Sequence, residues 1–194
     1  MTSDAHERLT AAARRLIDAT IRTEVSADAI AAATAKIEAA TAQLSDSLMP
    51  GSFGVQATPD GRSIALGNVV IGLRNPVAPP LTIHHEADGT VHTEFELGAA
   101  YEGPPGHVHG GVCALILDHV LGATAHQPGK PAFTGTLTLR YVRGTRLDQP
   151  LRAQAQVSRT EGTKTFAAGS ITDAEGVTVE AEGIFIHPRN TRQS

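Results

Sequence analysis

The chain has 194 residues, 41% of them hydrophobic and 19% charged, with a formal net charge of −4. That length buries one substantial core, or one core with an appendage, and no apolar run approaches the ~18 residues a membrane span needs. The single cysteine, Cys113, excludes an internal disulfide and a thiolate metal cluster. The mild acidic excess argues against nucleic acid as the partner. An N-terminus of mixed charge, without a basic-then-apolar leader, points to the cytoplasm.

Residues 1–50 contain no Gly or Pro before Pro50. Leu9, Leu16, Ile17 and Ile21, then Ile30, Ile37 and Leu44, recur at helical spacing, and Ser26 followed by Asp28 suits the cap of a second helix. Two amphipathic helices are predicted, as a helical extension (1–50) to a main domain (51–188) that ends in a short tail (189–194). Residues 64–73 are apolar and β-branched and read as a strand stopped by Asn75-Pro76. Segments 81–85 and 91–97 flank an Asp88-Gly89 turn and read as a hairpin.

Residues 109–126 (HGGVCALILDHVLGATAH) are the one strongly apolar helix candidate. Val112, Leu115, Ile116, Leu117, Val120 and Leu121 surround its axis, the pattern of a helix buried all round. Four strands are predicted after it, at 134–143, 151–159, 163–171 and 177–186. Their short, turn-rich links favour an antiparallel meander. A buried helix followed by such a sheet is an α+β plan in which the sheet curls around the helix.

Chemistry concentrates in 101–118. Gly110-Gly111 opens the helix and bares N–H groups at the positive end of its dipole, suited to a carbonyl gaining negative charge. Close packing is the other use for such a pair. His109 stands just before it, as a helix cap or as part of a site. Asp118 lies two turns on among apolar neighbours, where an idle carboxylate is costly. His107, His109, His119 and His126 form no compact ligand set with carboxylates, so no metal is expected. Cys113 reads as core.

The run EGPPGHVHGGVCALILDHVLGA, at 102–123, resembles the HGG-type hotdog acyl-CoA thioesterases. Both the bacterial phenylacetate-pathway type and the mammalian thioesterase-superfamily members are similar to it. The resemblance spans 64–187, and Thr134 and Tyr141 add to it. It implies a hotdog fold, hydrolysis of acyl-CoA to a carboxylic acid and CoA in lipid metabolism, no resident cofactor, and a homodimer or dimer of dimers. By the same resemblance Asp118 is general base or nucleophile, Gly110 and Gly111 hold the thioester oxygen, His109 orients that end and Thr134 positions water. Some relatives carry Asn six residues before the HGG histidine, where this chain has Gly103. His109 and Asp118 would lie ~13 Å apart along a helix. One thioester carbon cannot meet both, so a site shared between two chains is expected.

Six of the 16 Lys and Arg residues fall within 140–164: Arg140, Arg143, Arg146, Arg152, Arg159 and Lys164, against only Asp148 and Glu161. Such a cluster suits steering of the CoA phosphates. The resemblance points to Arg140, Arg143, Arg159, Thr163 and Lys164 for CoA contact, although Gly144 stands where many relatives have Pro. Two rival functions remain: a hydratase or dehydratase, whose Asp-His loop motif is missing, and a catalytically idle hotdog module that binds acyl-CoA or a protein partner.

Overall fold

The computed structural model describes residues 4–57, 63–126 and 131–188. The chain divides into two compact units, Met1–Asn68 with Gly72–Val77, and Val69–Ile71 with Ala78–Ser194.

In the first unit, helices α1 (Asp4–Arg22) and α2 (Ala27–Ser45) precede a pair of two-residue strands, β1 (Gln56–Ala57) and β2 (Ser63–Ile64). The predicted break falls where Ser26 caps α2, its hydroxyl accepting from the Ala29 N–H at 3.4 Å. Arg14 ties α1 to the 72–77 segment through the carbonyls of Gly72 (3.2 Å) and Asn75 (2.8 Å). The strand predicted over 64–73 does not form. Residues 66–78 run through turns instead. The Gly72 N–H donates to the Asn68 carbonyl, the Arg74 N–H to Leu66, and the Asn75 amide to Gly67. These local bonds satisfy the backbone that a strand would have offered to a neighbour.

The second unit is a six-stranded antiparallel sheet packed on helix α3 (Gly110–Ala125). Its strands are β3 (His84–His85), β4 (Val91–Phe95), β5 (Phe133–Tyr141), β6 (Leu151–Glu161), β7 (Lys164–Asp173) and β8 (Gly176–Ile186). Helix α3 contacts β4, β5, β6, β7 and β8, so the sheet wraps it in the expected hotdog arrangement. The β3–β4 hairpin forms in a shorter version than predicted. Strands β6, β7 and β8 make a meander, but β5 is not beside β6. The order is β3-β4-β6-β7-β8-β5, because the chain crosses with α3 to the far edge and pairs β5 with β8.

Cys113, Ile116, Leu117, Val120, Leu121 and Ala125 fill the inner face of the sheet, in one cluster with Ala153, Ala155, Ala167, Ile171, Val179 and Phe185. Small strand residues let the helix close on the sheet. A Cβ on Gly169 or Gly183 would stand 3.1 Å from Leu121. The helix is not buried all round, however. Val112, Ala114, Leu115, Asp118, His119, Gly122 and Ala123 are only half-buried. The sheet covers one side of α3, and within one chain the other side stays partly open.

The link after β5 is pinned by Arg143, which grips both oxygens of the nearly buried Asp173 (Nη1 to Oδ2, 2.8 Å) and also donates to the Gly176 carbonyl at 3.0 Å. The Arg143 hydrogen bonds hold the Asp173 carboxyl below the usual carboxylate range. A carboxyl whose folded pKa is depressed stabilises above its unfolded value and loses that contribution as pH falls through the folded one. Asp173→Asn is therefore expected to cost ~1–3 kcal/mol at neutral pH, with the gap to wild type closing below pH ~4. Thermal melts across that range check it. A gap independent of pH would contradict this role for the pair.

Candidate active site

The loop entering α3 is held by its own backbone. Tyr101 accepts from the His109 N–H at 2.9 Å, Thr145 accepts from the Val108 N–H at 2.8 Å, and the Glu102 carboxylate accepts from the Gly106 N–H at 2.8 Å. Beneath it the Cys113 thiol donates to Thr145 Oγ1 (3.8 Å), which donates to Thr178 Oγ1 (2.8 Å). Burial pushes the thiol pKa up, so Cys113 is a neutral core group.

His109 caps α3. Its Nδ1 accepts from the Gly111 N–H at 3.0 Å, which places the ring proton on Nε2. The N–H groups of Val112 and Cys113 donate to the His109 carbonyl. Among the described residues, the Gly110 N–H is the first-turn donor left without an acceptor. The expectation that both glycines bare their N–H groups is thus narrowed to Gly110, because Gly111 spends its own on the cap. Both glycines also make room for rings. A Cβ on Gly110 would stand 3.2 Å from the Tyr141 ring, and one on Gly111 3.1 Å from His109 Nδ1.

Tyr141 donates its hydroxyl to the Gly110 carbonyl at 2.9 Å. Burial, with the nearby Cys113 thiol, raises the phenol pKa and keeps that donor protonated. In the sequence Tyr141 served only as a mark of resemblance. Its place at the end of a strand that begins near Thr134 was the available signal.

Two turns along the helix, Asp118 Oδ1 accepts from Thr134 Oγ1 at 2.8 Å. A β-bulge makes this contact possible. Strand β5 pairs Thr134 with Phe185 and Thr136 with Ile184, leaving Gly135 as the extra residue. Plain alternation would put Thr134 on the outer face with Thr136 and Thr138. The bulge shifts the phase, so Thr134 shares the inner face with Phe185 and turns toward α3. His119 lies next to Asp118 on the helix. Burial holds its imidazole pKa below the usual histidine range, with the Asp118 charge opposing in part, so it is a neutral neighbour.

The structure therefore brings together His109, Gly110, Gly111 and Tyr141 at one place, and Asp118 and Thr134 at another. Along the helix axis, Gly110 and Asp118 are ~12 Å apart.

The basic cluster looks different in three dimensions. Arg140 pairs with Glu180 (2.6 Å), Arg146 with Glu175 (3.7 Å), Arg152 with Glu94 (3.1 Å) and Arg159 with Glu161 (2.7 Å), while Arg143 is committed to Asp173. Acids distant in sequence neutralise most of the local excess. Arg159 also stacks 3.7 Å over the Phe166 ring. Thr163 sits in the β6–β7 turn, where its carbonyl accepts from the His187 N–H at 2.8 Å. The Lys164 ammonium meets no acid among the described residues. Among the described residues, no three His, Cys, Asp or Glu side chains converge to hold a metal ion, and no helix is long and apolar enough to cross a membrane.

A family model of the thioesterase superfamily matches residues 105–180. The crystal structure of a thioesterase superfamily protein is 35% identical, with a TM-score of 0.85, over 95% of this chain and 92% of its own. The chain belongs to the thioesterase superfamily. Human acyl-coenzyme A thioesterase THEM5 is 31% identical over 72 residues, 37% of this chain and 29% of that protein. Acyl-coenzyme A thioesterase THEM4 of Xenopus laevis is 34% identical over 77 residues, 40% of this chain and 35% of that protein. The chain spans about a third of the length of these curated relatives. The matched superfamily segment includes His109, Asp118, Thr134 and Tyr141.

Proposed function

We propose that this chain hydrolyses the thioester of an acyl-CoA, giving a carboxylic acid and free CoA, at an active site built from two copies of the chain. The observation that carries the reading is the Thr134–Asp118 hydrogen bond on the open side of α3. With its O–H hydrogen-bonded to Asp118 Oδ1, the Thr134 oxygen keeps lone pairs that accept from a water molecule. Asp118 then takes a proton from that water as its oxygen attacks the thioester carbon. The C–S bond breaks, and the departing CoA thiolate takes the proton that Asp118 drew from the water, which restores the carboxylate. The carbonyl oxygen gains negative charge on the way, and the Gly110 N–H at the positive end of α3 is the donor assigned to it. Tyr141, bonded to the carbonyl of the same residue, fixes the orientation of that end.

The two ends of α3 cannot serve one carbon, so the Gly110 end of one chain is assigned to the Asp118 end of another. The half-buried apolar side of α3, around Ala114, Leu115 and Gly122, supplies surface for such a partner. For the CoA phosphates, Lys164 and Arg159 at the β6–β7 turn are the first choice, with Thr163 between them. Arg140 is a secondary one, since its exposed pair with Glu180 is weak and exchangeable. Arg143 is locked on Asp173 and is assigned a structural role.

Mixed dimers test the sharing. Asp118→Ala and Gly110→Pro homodimers are each expected to be nearly inactive on acyl-CoA. A mixed dimer has one intact site and is expected to recover about half of the wild-type rate per dimer, by the non-additivity of residues acting as a unit. Mixed dimers no more active than either parent would contradict the shared site.

A further inference from the structure

The first turn of α3 is held on two sides. On the exposed side Tyr141 reaches the Gly110 carbonyl. On the buried side Cys113, in the same turn, begins a chain of side-chain hydrogen bonds that crosses to the sheet. Its thiol donates to Thr145 Oγ1, the Thr145 hydroxyl donates to Thr178 Oγ1 at 2.8 Å, and the Thr178 hydroxyl donates to the Ile171 carbonyl of β7 at 3.2 Å. Each proton runs the same way, and each of the three donors has its acceptor. Cys113, Thr145 and Thr178 are 2%, 3% and 0% exposed, so water competes for none of these bonds.

Packing alone does not call for these hydroxyls. Valine has nearly the shape of threonine, and replacing both partners of a buried hydrogen bond by apolar groups of the same shape is close to neutral for stability. What valine lacks is direction. A fully satisfied buried network specifies one arrangement, whereas apolar cores lose uniqueness before they lose stability. Thr145 is placed to use that direction. Its carbonyl accepts from the Val108 N–H at 2.8 Å, and the Leu147 N–H donates to the Gly106 carbonyl at 3.1 Å, so the segment after β5 runs beside the loop entering α3. Gly144 lets the two come close, since a Cβ there would stand 2.5 Å from His107 Cδ2. Thr145 thus ties the entering loop through its backbone, and the helix start to the sheet through its side chain.

We infer that Thr145 is a positioning residue: its hydroxyl, seated between Cys113 and Thr178, fixes the first turn of α3 against the sheet and so holds the aim of the Gly110 N–H. Its effect on rate rests on the hydrolysis proposed above, where a small misplacement of a donor is costly. The hold itself does not depend on that reading.

Two substitutions in the full-length protein separate this role from a merely structural one. Thr145→Val keeps the shape and loses the hydroxyl. It is expected to leave Tm within ~2 °C while kcat falls ~3- to 10-fold at unchanged KM, the worth of one neutral hydrogen bond. Thr145→Ser keeps the hydroxyl and loses a methyl group, so Tm is expected to fall by ~2–4 °C while most of the rate is retained. In the Gly110→Pro background, Thr145→Val is expected to cost no further rate, because both changes act through one N–H. Amide exchange of Gly111, whose N–H the His109 cap closes, reads the hold without substrate. It is expected to be ~3- to 10-fold faster in Thr145→Val than in the wild type, and unchanged in Thr145→Ser. A rate that follows Tm across the variants, multiplied losses in the double variant, or Gly111 exchange unaltered by Thr145→Val would each overturn the inference. Should the wild type release no thiol from any acyl-CoA, the hydrolysis reading falls, and the exchange measurement by itself decides whether Thr145 holds the turn.

Discussion

Asp118→Asn is expected to slow acyl-CoA hydrolysis by ~10²- to 10⁴-fold, the range for loss of a positioned general base. The substitution is nearly isosteric, and the amide oxygen still accepts from Thr134, so the helix and β5 keep their contact. KM is expected to change little, because the lost interaction belongs to the transition state. Steady-state thiol release, with a melting curve for each protein, separates this from a folding defect. A loss below about tenfold, with the fold intact, would remove Asp118 from the proton transfer.

The second large effect belongs to the start of α3. Gly110→Pro removes the first-turn N–H that has no acceptor, while the backbone already suits proline. Gly110 is the first helical residue, and His109 before it has ψ 132°, in the region a residue preceding proline takes. The expected fall in kcat is ~10²- to 10³-fold, as for removal of one oxyanion donor. Gly110→Ala is the control. It keeps the N–H and only presses a Cβ against the Tyr141 ring, 3.2 Å away. Shifting that ring costs ~0.5–1.5 kcal/mol, so its loss is expected to stay within about tenfold. Equal losses in the two variants would mean that the steric change, and not the donor, sets the rate.

Much of this arrangement was legible in the chain. The two N-terminal helices, their break at Ser26, the apolar helix and the four later strands all follow from periodicity and punctuation. The failures have particular causes. The 64–73 segment is apolar enough for a strand, yet Asn68, Gly72 and Asn75 close its backbone on itself. Adjacent strands in sequence usually pair, but α3 carries the chain across the sheet, so β5 lands beside β8. The bulge at Gly135 leaves no trace in an alternation pattern, since glycine presents no side chain to count. Without it Thr134 would face away from Asp118. Local charge counting likewise overstated the basic cluster, because Asp173, Glu175, Glu180 and Glu94 come to it from elsewhere. The motif itself showed Gly110, Gly111 and Asp118 together. It could not show that His109 occupies one of the two N–H groups.

The most direct measurement is thiol release from a panel of short-chain, long-chain and aromatic acyl-CoAs by the wild-type protein, with Asp118→Asn run beside it. Hydrolysis of at least one ester by the wild type, lost in the variant, is the expected result, and the preferred ester then names the acyl class. Acyl-CoA binding without thiol release from any ester would contradict the enzyme and leave a binding module on the same fold.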